Sequence, residues 1–253
     1  MRDKIVIQRR KLREKINDKN TIDIFSKINI KKNINCLEIG MGLGSIANYM
    51  TRYTGDKGIV IAIDLKSENI DYVMKHINND KLKVYCLDVQ NISSLNKKYD
   101  LVHARFVFEH IKDKEYILKI LYSQMNEQAI LVLEDAVYKN IKFNGSIEFK
   151  KVMRKYVHCI ECISKNTDYS WGRKMKDILN KIKFNDIQVF ENIRMFRGDT
   201  IEAKYWINCF YEIENDLIQN GITTEILNKT YEDLKNPKNI FSGPAIFSVV
   251  CRK

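Results

Sequence analysis

From residue 35 onward the chain repeats one unit: a short run of apolar, often β-branched residues, a turn, then a stretch whose apolar positions fall three and four apart. The runs are 35–39, 58–63, 82–87, 100–104 and 129–133. They are continuous rather than alternating, which marks strands covered on both faces, and hence a parallel sheet between two helical layers. Between them, Ile46, Met50 and Tyr53 share a helical face, with Gly55 placed to end that helix in a left-handed cap. Ile70, Val73, Met74 and Ile77 give a helix starting at Ser67, and Ile117, Leu118, Ile120 and Leu121 give the next. Past Asp135 the rhythm changes to two helices, 147–164 and 171–183, read as a cover. A strand at 187–195, a helix at 200–219, a short helix at 223–234 and a strand at 245–251 complete the count.

Composition narrows the class. With 253 residues, 45% hydrophobic and 30% charged, the chain can bury a sizeable core. Its longest apolar runs, 59–63 and 129–133, fall far short of the roughly 20 residues a membrane-spanning helix needs. Residues 1–15 carry Arg2, Lys4, Arg9, Arg10, Lys11, Arg13 and Lys15 with no apolar segment of secretory type, so the expected location is cytoplasmic. The six cysteines are scattered, as reduced thiols are. Cys159 and Cys162 have the gap of a zinc pair but lack a second pair, and they are read as helix packing with no metal.

The net charge is +11, and residues 1–35 hold eleven Lys or Arg against four acids. Such a segment suits nucleic acid or another polyanion. A chain this rich in Lys, Ile and Asn also places lysines on any surface, so the charge alone does not specify a partner.

The chemistry concentrates at 36–45, Cys-Leu-Glu-Ile-Gly-Met-Gly-Leu-Gly-Ser, where the first strand meets the first helix of the repeat. Glycines at 40, 42 and 44 let backbone amides approach a ligand, and a helix start favours a negative group. A dinucleotide fingerprint calls for glycine at 45, where Ser45 stands, which weakens a nicotinamide reading. Twenty residues past Gly44, Asp64 ends the second strand and can accept from both hydroxyls of a ribose. Asp88 ends the third, where its carboxylate or the Val89 amide can meet an adenine edge.

With these residues the sequence resembles the class I S-adenosylmethionine-dependent methyltransferases. The resemblance implies that Glu38, Gly40, Met41, Gly42 and Gly44 hold the methionine end of S-adenosylmethionine, that Asp64 and Leu65 hold the ribose, and that Asp88 and Val89 face adenine. The stretch 99–111, Tyr-Asp-Leu-Val-His-Ala-Arg-Phe-Val-Phe-Glu-His-Ile, is similar to the post-fourth-strand motif of the small-molecule branch that includes the quinone-biosynthesis methyltransferases. There His103, Ala104 and Arg105 would line the methionine side. The likeness covers residues 34–135 well, and 171–190 and the last strand more loosely.

Pattern and resemblance together imply an α/β fold: a doubly wound, mostly parallel seven-stranded sheet with helices on both faces, an antiparallel last strand and a helical cover after strand five. The expected organisation is a basic helical segment at 1–33, able to act as a lid, and a Rossmann-like methyltransferase domain at 34–253 with its cover at about 140–183.

A sulfonium has a good leaving group, so such an enzyme mainly aligns an acceptor and excludes water, and a base is optional. The candidates near the ends of strands four and five are His110, Glu134 and Asp135, with Tyr138 behind them. Arg105 either anchors an acidic substrate or pairs with Glu109. Tyr138, Tyr169, Trp171 and Arg173 are the candidate acceptor wall; Tyr169 and Trp171 could equally pack the cover onto the sheet. The expected partner is a small-molecule methyl acceptor. Two other readings stay open: an RNA-modifying methyltransferase, against which Asp100-Leu101-Val102-His103 lacks the Asn/Asp-Pro-Pro-Tyr type of motif, and a noncatalytic S-adenosylmethionine-binding protein.

Overall fold

The computed structural model describes residues 2–253. Seven strands form one sheet: β1 (Cys36–Ile39), β2 (Val60–Asp64), β3 (Leu82–Cys86), β4 (Tyr99–Arg105), β5 (Met125–Val137), β6 (Asn185–Arg197) and β7 (Ile240–Arg252). Their order is β3-β2-β1-β4-β5-β7-β6. The first five are parallel, and β7 runs antiparallel between β5 and β6. Chain order reverses on either side of β1, which pairs with both β2 and β4, so the connections leaving β1 and β4 diverge to opposite faces. A crevice opens at that point in such sheets, beyond the carboxyl ends of the strands.

Around the sheet lie α1 (Arg2–Lys27), α2 (Ser45–Met50), α3 (Ser67–His76), α4 (Lys114–Gln124), α5 (Ile147–Ile163), α6 (Met175–Ile182), α7 (Ile201–Glu212), α8 (Glu214–Gln219) and α9 (Thr224–Lys235). No described helix is long and apolar enough to cross a membrane. One face of the sheet packs Leu37, Val102, Leu118, Leu121, Leu131 and Leu179; the other packs Phe25, Ile46, Met50, Val60 and Val132. A separate core, built on Phe149, Trp206, Phe210, Leu227 and Phe241, joins α5 to α7, α8 and α9.

Three details differ from the sequence reading. The segment 171–183 is a 3₁₀ turn (Trp171–Arg173) followed by α6, because Trp171 turns inward to stack on Phe108. The segment 200–219 breaks at Ile213, whose ψ of 28° leaves the helical basin while Leu217 beyond it stays in the same core. The cover is not bounded at 140–183: α6 presents Met175, Leu179 and Ile182 to the sheet, and α5 instead packs with α7, α8 and α9.

The helix α1 has no broad apolar stripe. Among its described side chains only Thr21, Ile24 and Phe25 are buried, and its polar side chains reach into the sheet. His103, fully buried on β4, has Nδ1 2.6 Å from Glu38 Oε2 and Nε2 3.2 Å from Glu134 Oε1. Glu134 also accepts from Asn20 Nδ2 at 2.8 Å, from Ser248 Oγ at 3.0 Å and from Thr21 Oγ1. Burial disfavours the imidazolium, but Glu38 and Glu134 outweigh it and hold His103 up at about 9. Burial likewise works against the Glu134 carboxylate, and His103, Arg105 and Thr21 hold it down at about 2.

A histidine whose folded pKa is raised contributes stability that is complete below its unfolded value and fades as pH climbs through the folded one. The urea midpoint is therefore expected to decline between about pH 6.5 and 9 through this group. Denaturation curves across that range check it: His103→Gln flattens this part of the decline, and His103→Ala, which strands two buried carboxylates, costs about 3–5 kcal/mol.

Candidate active site

The first strand delivers the chain into a loop that only glycine tolerates. Gly44 has φ +87°, and a Cβ there would lie 2.8 Å from Val73 Cγ2; Gly40 has φ +67° and would bring a Cβ to 2.3 Å from Val107 Cγ2. The Gly42 amide donates to Asp64 Oδ2 at 3.0 Å, and the Lys66 amide donates to Asp64 Oδ1 at 2.9 Å. The Leu43 amide donates to Glu14 Oε1 of α1 at 2.9 Å. Two of the loop's amides, those of Gly42 and Leu43, thus donate to carboxylates, while those of Gly40, Met41 and Gly44 donate to backbone carbonyls. Burial pushes Glu14 up to about 7, against the pull of the Leu43 amide.

Asp64 pairs in register with Cys86, so Asp88 stands two residues further along, at the neighbouring strand end. Its side chain accepts from the Gln90 amide at 2.9 Å and from Gln90 Nε2 at 3.1 Å, and so caps the 3₁₀ turn Val89–Leu95. Leu65 is largely exposed between the two acids. Two loop amides that meet carboxylates, a strand-end acid for hydroxyls and a second acid on the next strand form a donor and acceptor set that fits an adenosyl group with a polar tail.

Not every residue assigned to the cofactor lies at that surface. Met41 and Ala104 are buried under it, and His103 and Glu38 bond to each other beneath the loop. Arg105 neither pairs with Glu109 nor stands free for an acidic substrate: it donates to Asp18 Oδ1 at 2.7 Å and to Thr21 Oγ1 at 2.9 Å. Asp18 in turn accepts from Ser45 Oγ at 3.0 Å, so α1 is fastened to both sides of the crevice.

Beyond β4 the chain turns through Phe106, a non-glycine residue at φ 59°. Such strain is associated with functional turns. The turn has two sides: Val107 lies against Gly40, while Phe106 and Glu109 line a cavity of about 720 Å³, counted to its open mouth. Its other walls come from α1, α7, the end of β5 and the β6–β7 pair, and include Arg13, Tyr138, Tyr205 and Trp206.

Glu109 is 6% exposed, its Oε2 has no partner, and its Oε1 lies 3.3 Å from His110 Nε2. Burial pushes it up to about 7, with Arg13 the main opposing charge. Asp135, equally buried and with neither carboxyl oxygen hydrogen-bonded, is pushed well above its usual range by burial and then by the Glu109 charge. Adjacent buried carboxyls of this kind do not both ionise.

Of the three candidate bases, Glu134 is fully engaged with His103 and α1. His110 is half-exposed, donates to or accepts from Thr167 Oγ1 at 2.9 Å and is pushed down to about 4 by burial and by Arg13 and Lys114. Asp135 stands behind Glu109. The sequence reading missed Glu109, which sits at the same strand end one residue before His110, and Arg13, which lay inside a run of basic residues.

Of the candidate wall, only Tyr138 lines the cavity. Trp171 and Tyr169 are buried, Trp171 stacked on Phe108 and Tyr169 edge-on to Tyr138 at 5.4 Å, so they pack. Arg173 donates to the Lys139 carbonyl at 2.8 Å and lies over the Phe247 ring. Cys159 is buried, whereas Cys162 is exposed.

A family model described as a methyltransferase domain matches residues 8–188. Methyltransferase 235L of Invertebrate iridescent virus 6 is 31% identical over 122 residues, 48% of this chain and 43% of the viral protein. The chain spans less than half the length of several curated relatives that it matches. Among solved structures, a methyltransferase from Bacillus halodurans C-125 superposes with a TM-score of 0.61 at 16% identity, covering 92% of this chain and 97% of that one. Phosphoethanolamine N-methyltransferase 2 of Haemonchus contortus, solved with phosphomonomethylethanolamine and S-adenosylhomocysteine, gives a TM-score of 0.57 at 14% identity, covering 93% of this chain and 52% of that one. The family match takes in α1 from residue 8 together with the glycine loop and the acids at 64 and 88. The chain belongs to the methyltransferase-domain family, and its fold is that of the solved methyltransferases on which it superposes.

Proposed function

We propose that the protein is a cytoplasmic enzyme that transfers the methyl group of S-adenosylmethionine to a small-molecule acceptor held in the cavity under α1. One observation carries the reading: a single turn touches the cofactor loop through Val107 and Gly40 and lines the cavity through Phe106 and Glu109. Cofactor seat and cavity are thus neighbours across one residue, as a direct displacement requires.

When bound, S-adenosylmethionine supplies an electrophilic methyl carbon on a good leaving group. The chain's own residues position and shield. The glycine loop 40–44 would hold the methionine end, with the Leu43 amide released by Glu14, while Asp64 would hold the ribose and Asp88 with the Val89 amide the adenine. The helix α1 lies across the site as a lid, tied down through Glu14, Asp18 and Thr21. The rings of Phe106, Tyr138 and Trp206 exclude water from the cavity. Glu109, poised near neutrality beside Asp135, accepts the proton that the acceptor loses.

The likeness of 99–111 to the quinone-biosynthesis branch supports a metabolite acceptor. Arg9, Arg10 and Arg13 turn inward, Arg9 pairing with Glu212, Arg10 donating to Asn69 and Arg13 facing the cavity, which leaves the exposed lysines 11, 15, 19, 27, 31 and 32 as the basic surface of the leading segment.

Calorimetric titration with S-adenosylhomocysteine tests the cofactor seat: the intact protein binds, and Asp64→Ala weakens binding about tenfold or more, the loss of a hydrogen bond to a charged group. Absence of binding by the intact protein defeats the reading. Incubation with methyl-labelled cofactor and separated lysate fractions tests the acceptor: label enters low-mass metabolites, and label confined to RNA would reverse the assignment. With that metabolite fraction, the rate is expected to rise with pH through about 7, and Glu109→Gln to lower it about 10²–10⁴-fold and remove that limb.

A further inference from the structure

We infer that the acceptor is a compact zwitterion, methylated on an amine that faces Glu109 while its anionic group, a carboxylate or its equivalent, is seated on Arg13. This rests on the methyl-transfer reading above and narrows its substrate class.

The inference follows from which polar groups of the cavity remain without partners. The Arg194 guanidinium donates to the Ile16 carbonyl and lies 3.8 Å from Glu202. Asn17 donates to the Arg13 carbonyl at 2.8 Å, and Asn20 is held between Glu134 and Asn192. Two charged groups are left. Glu109 Oε2 has no hydrogen bond although the residue is more than nine-tenths buried, and the Arg13 guanidinium forms no ion pair among the described residues, resting instead 5.4 Å from the centroid of the Phe106 ring.

The cavity thus offers one cationic and one anionic group that do not meet each other within the 4.0 Å of an ion pair. Yet both line the same cavity, and Arg13 rests on Phe106, three residues before Glu109 on one turn, so the two stand a short way apart. A ligand bridging them carries its own charges in reverse order and only a few bonds apart. An amino acid has that shape, and an arginine fork is suited to its carboxylate. The aromatic walls agree, since Tyr138 and Trp206 also line the cavity and aromatic rings attract an ammonium. Glu109 is on the turn that touches Gly40, which puts the amine, not the anion, toward the cofactor.

The step balances without a further reagent. The ammonium gives one proton to the Glu109 carboxylate, and the freed nitrogen lone pair forms the bond to the methyl carbon. The sulfur–methyl bond breaks with its electron pair going to sulfur, leaving a methylated ammonium and a neutral thioether.

Three probes that share one ring separate the charges: phenylalanine, phenethylamine and 3-phenylpropanoate, each titrated into protein already saturated with S-adenosylhomocysteine. Phenylalanine is expected to bind at least tenfold tighter than either single-charge probe. Arg13→Gln should reduce phenylalanine to the affinity of phenethylamine without changing phenethylamine itself; Glu109→Gln should do the converse, with 3-phenylpropanoate as the unchanged probe. Equal binding of all three, tighter binding of a single-charge probe, or no binding by protein that takes up S-adenosylhomocysteine would overturn the inference. Failure to take up S-adenosylhomocysteine would instead strike the methyl-transfer reading beneath it.

Discussion

The arrangement of the site depends on one buried ion: the imidazolium of His103 between the carboxylates of Glu38 and Glu134. An acid as buried as Glu134 cannot complete its hydrogen bonds with water, so the remaining acceptor sites have to be filled by protein. Ser248 fills one from β7, and Thr21 and Asn20 fill the others from α1. This fixes where α1 sits and how it is rotated. Positions 10, 14, 18 and 21, which recur at helical spacing, then fall over α3, the glycine loop, the start of α2 and the sheet, while 13, 16, 17 and 20 fall toward the cavity. One helix roofs two adjoining seats because a buried histidine demands partners from it.

The same strand end shows how environment divides roles between neighbouring residues. Successive side chains of a strand point to opposite faces. Glu134 turns to His103 and Arg105 and is held as a carboxylate; Asp135 turns to Glu109 and the Trp171 side and is pushed toward its neutral form. Two consecutive acids thus become a permanent structural anion and a proton-holding neighbour. Neither is placed to act first on an acceptor, and the reactive position passes to Glu109, whose unpartnered oxygen belongs to a residue lining the cavity.

What could be read from the sequence is what local physics dictates. Five strands announce themselves by apolar runs, four of them buried as expected and β3, at the sheet edge, largely exposed, and the loop at 40–44 is marked by a backbone that a Cβ would obstruct against Val73 and Val107. Asp64 and Asp88 are legible because strand ends fix them in the chain's own periodicity. Other assignments turn on tertiary partners that no local pattern encodes. Trp171 and Tyr169 are equally good as a ligand wall or as packing until Phe108 and Tyr138 are seen beside them. Arg105 was expected to meet an acidic substrate or Glu109 and instead took Asp18, from a helix 87 residues away in sequence. Glu109 could not be told from Glu134 or Asp135 without knowing which of the three acids lines the cavity.

The charge of the leading segment follows the same logic. A helix bearing Arg9, Arg10 and Arg13 in quick succession reads, by composition, as a surface for polyanions. Folded, Arg9 is largely buried against Glu212, Arg10 reaches Asn69 at 2.7 Å, and Arg13 leans over Phe106 inside the cavity. Guanidinium groups suit such duty, since they are always charged, are weakly hydrated and stack on aromatic rings. Net charge counts residues without regard to direction; here the arginines at the start of α1 organise the interior of the site, and what they imply about a ligand is its local polarity rather than its size.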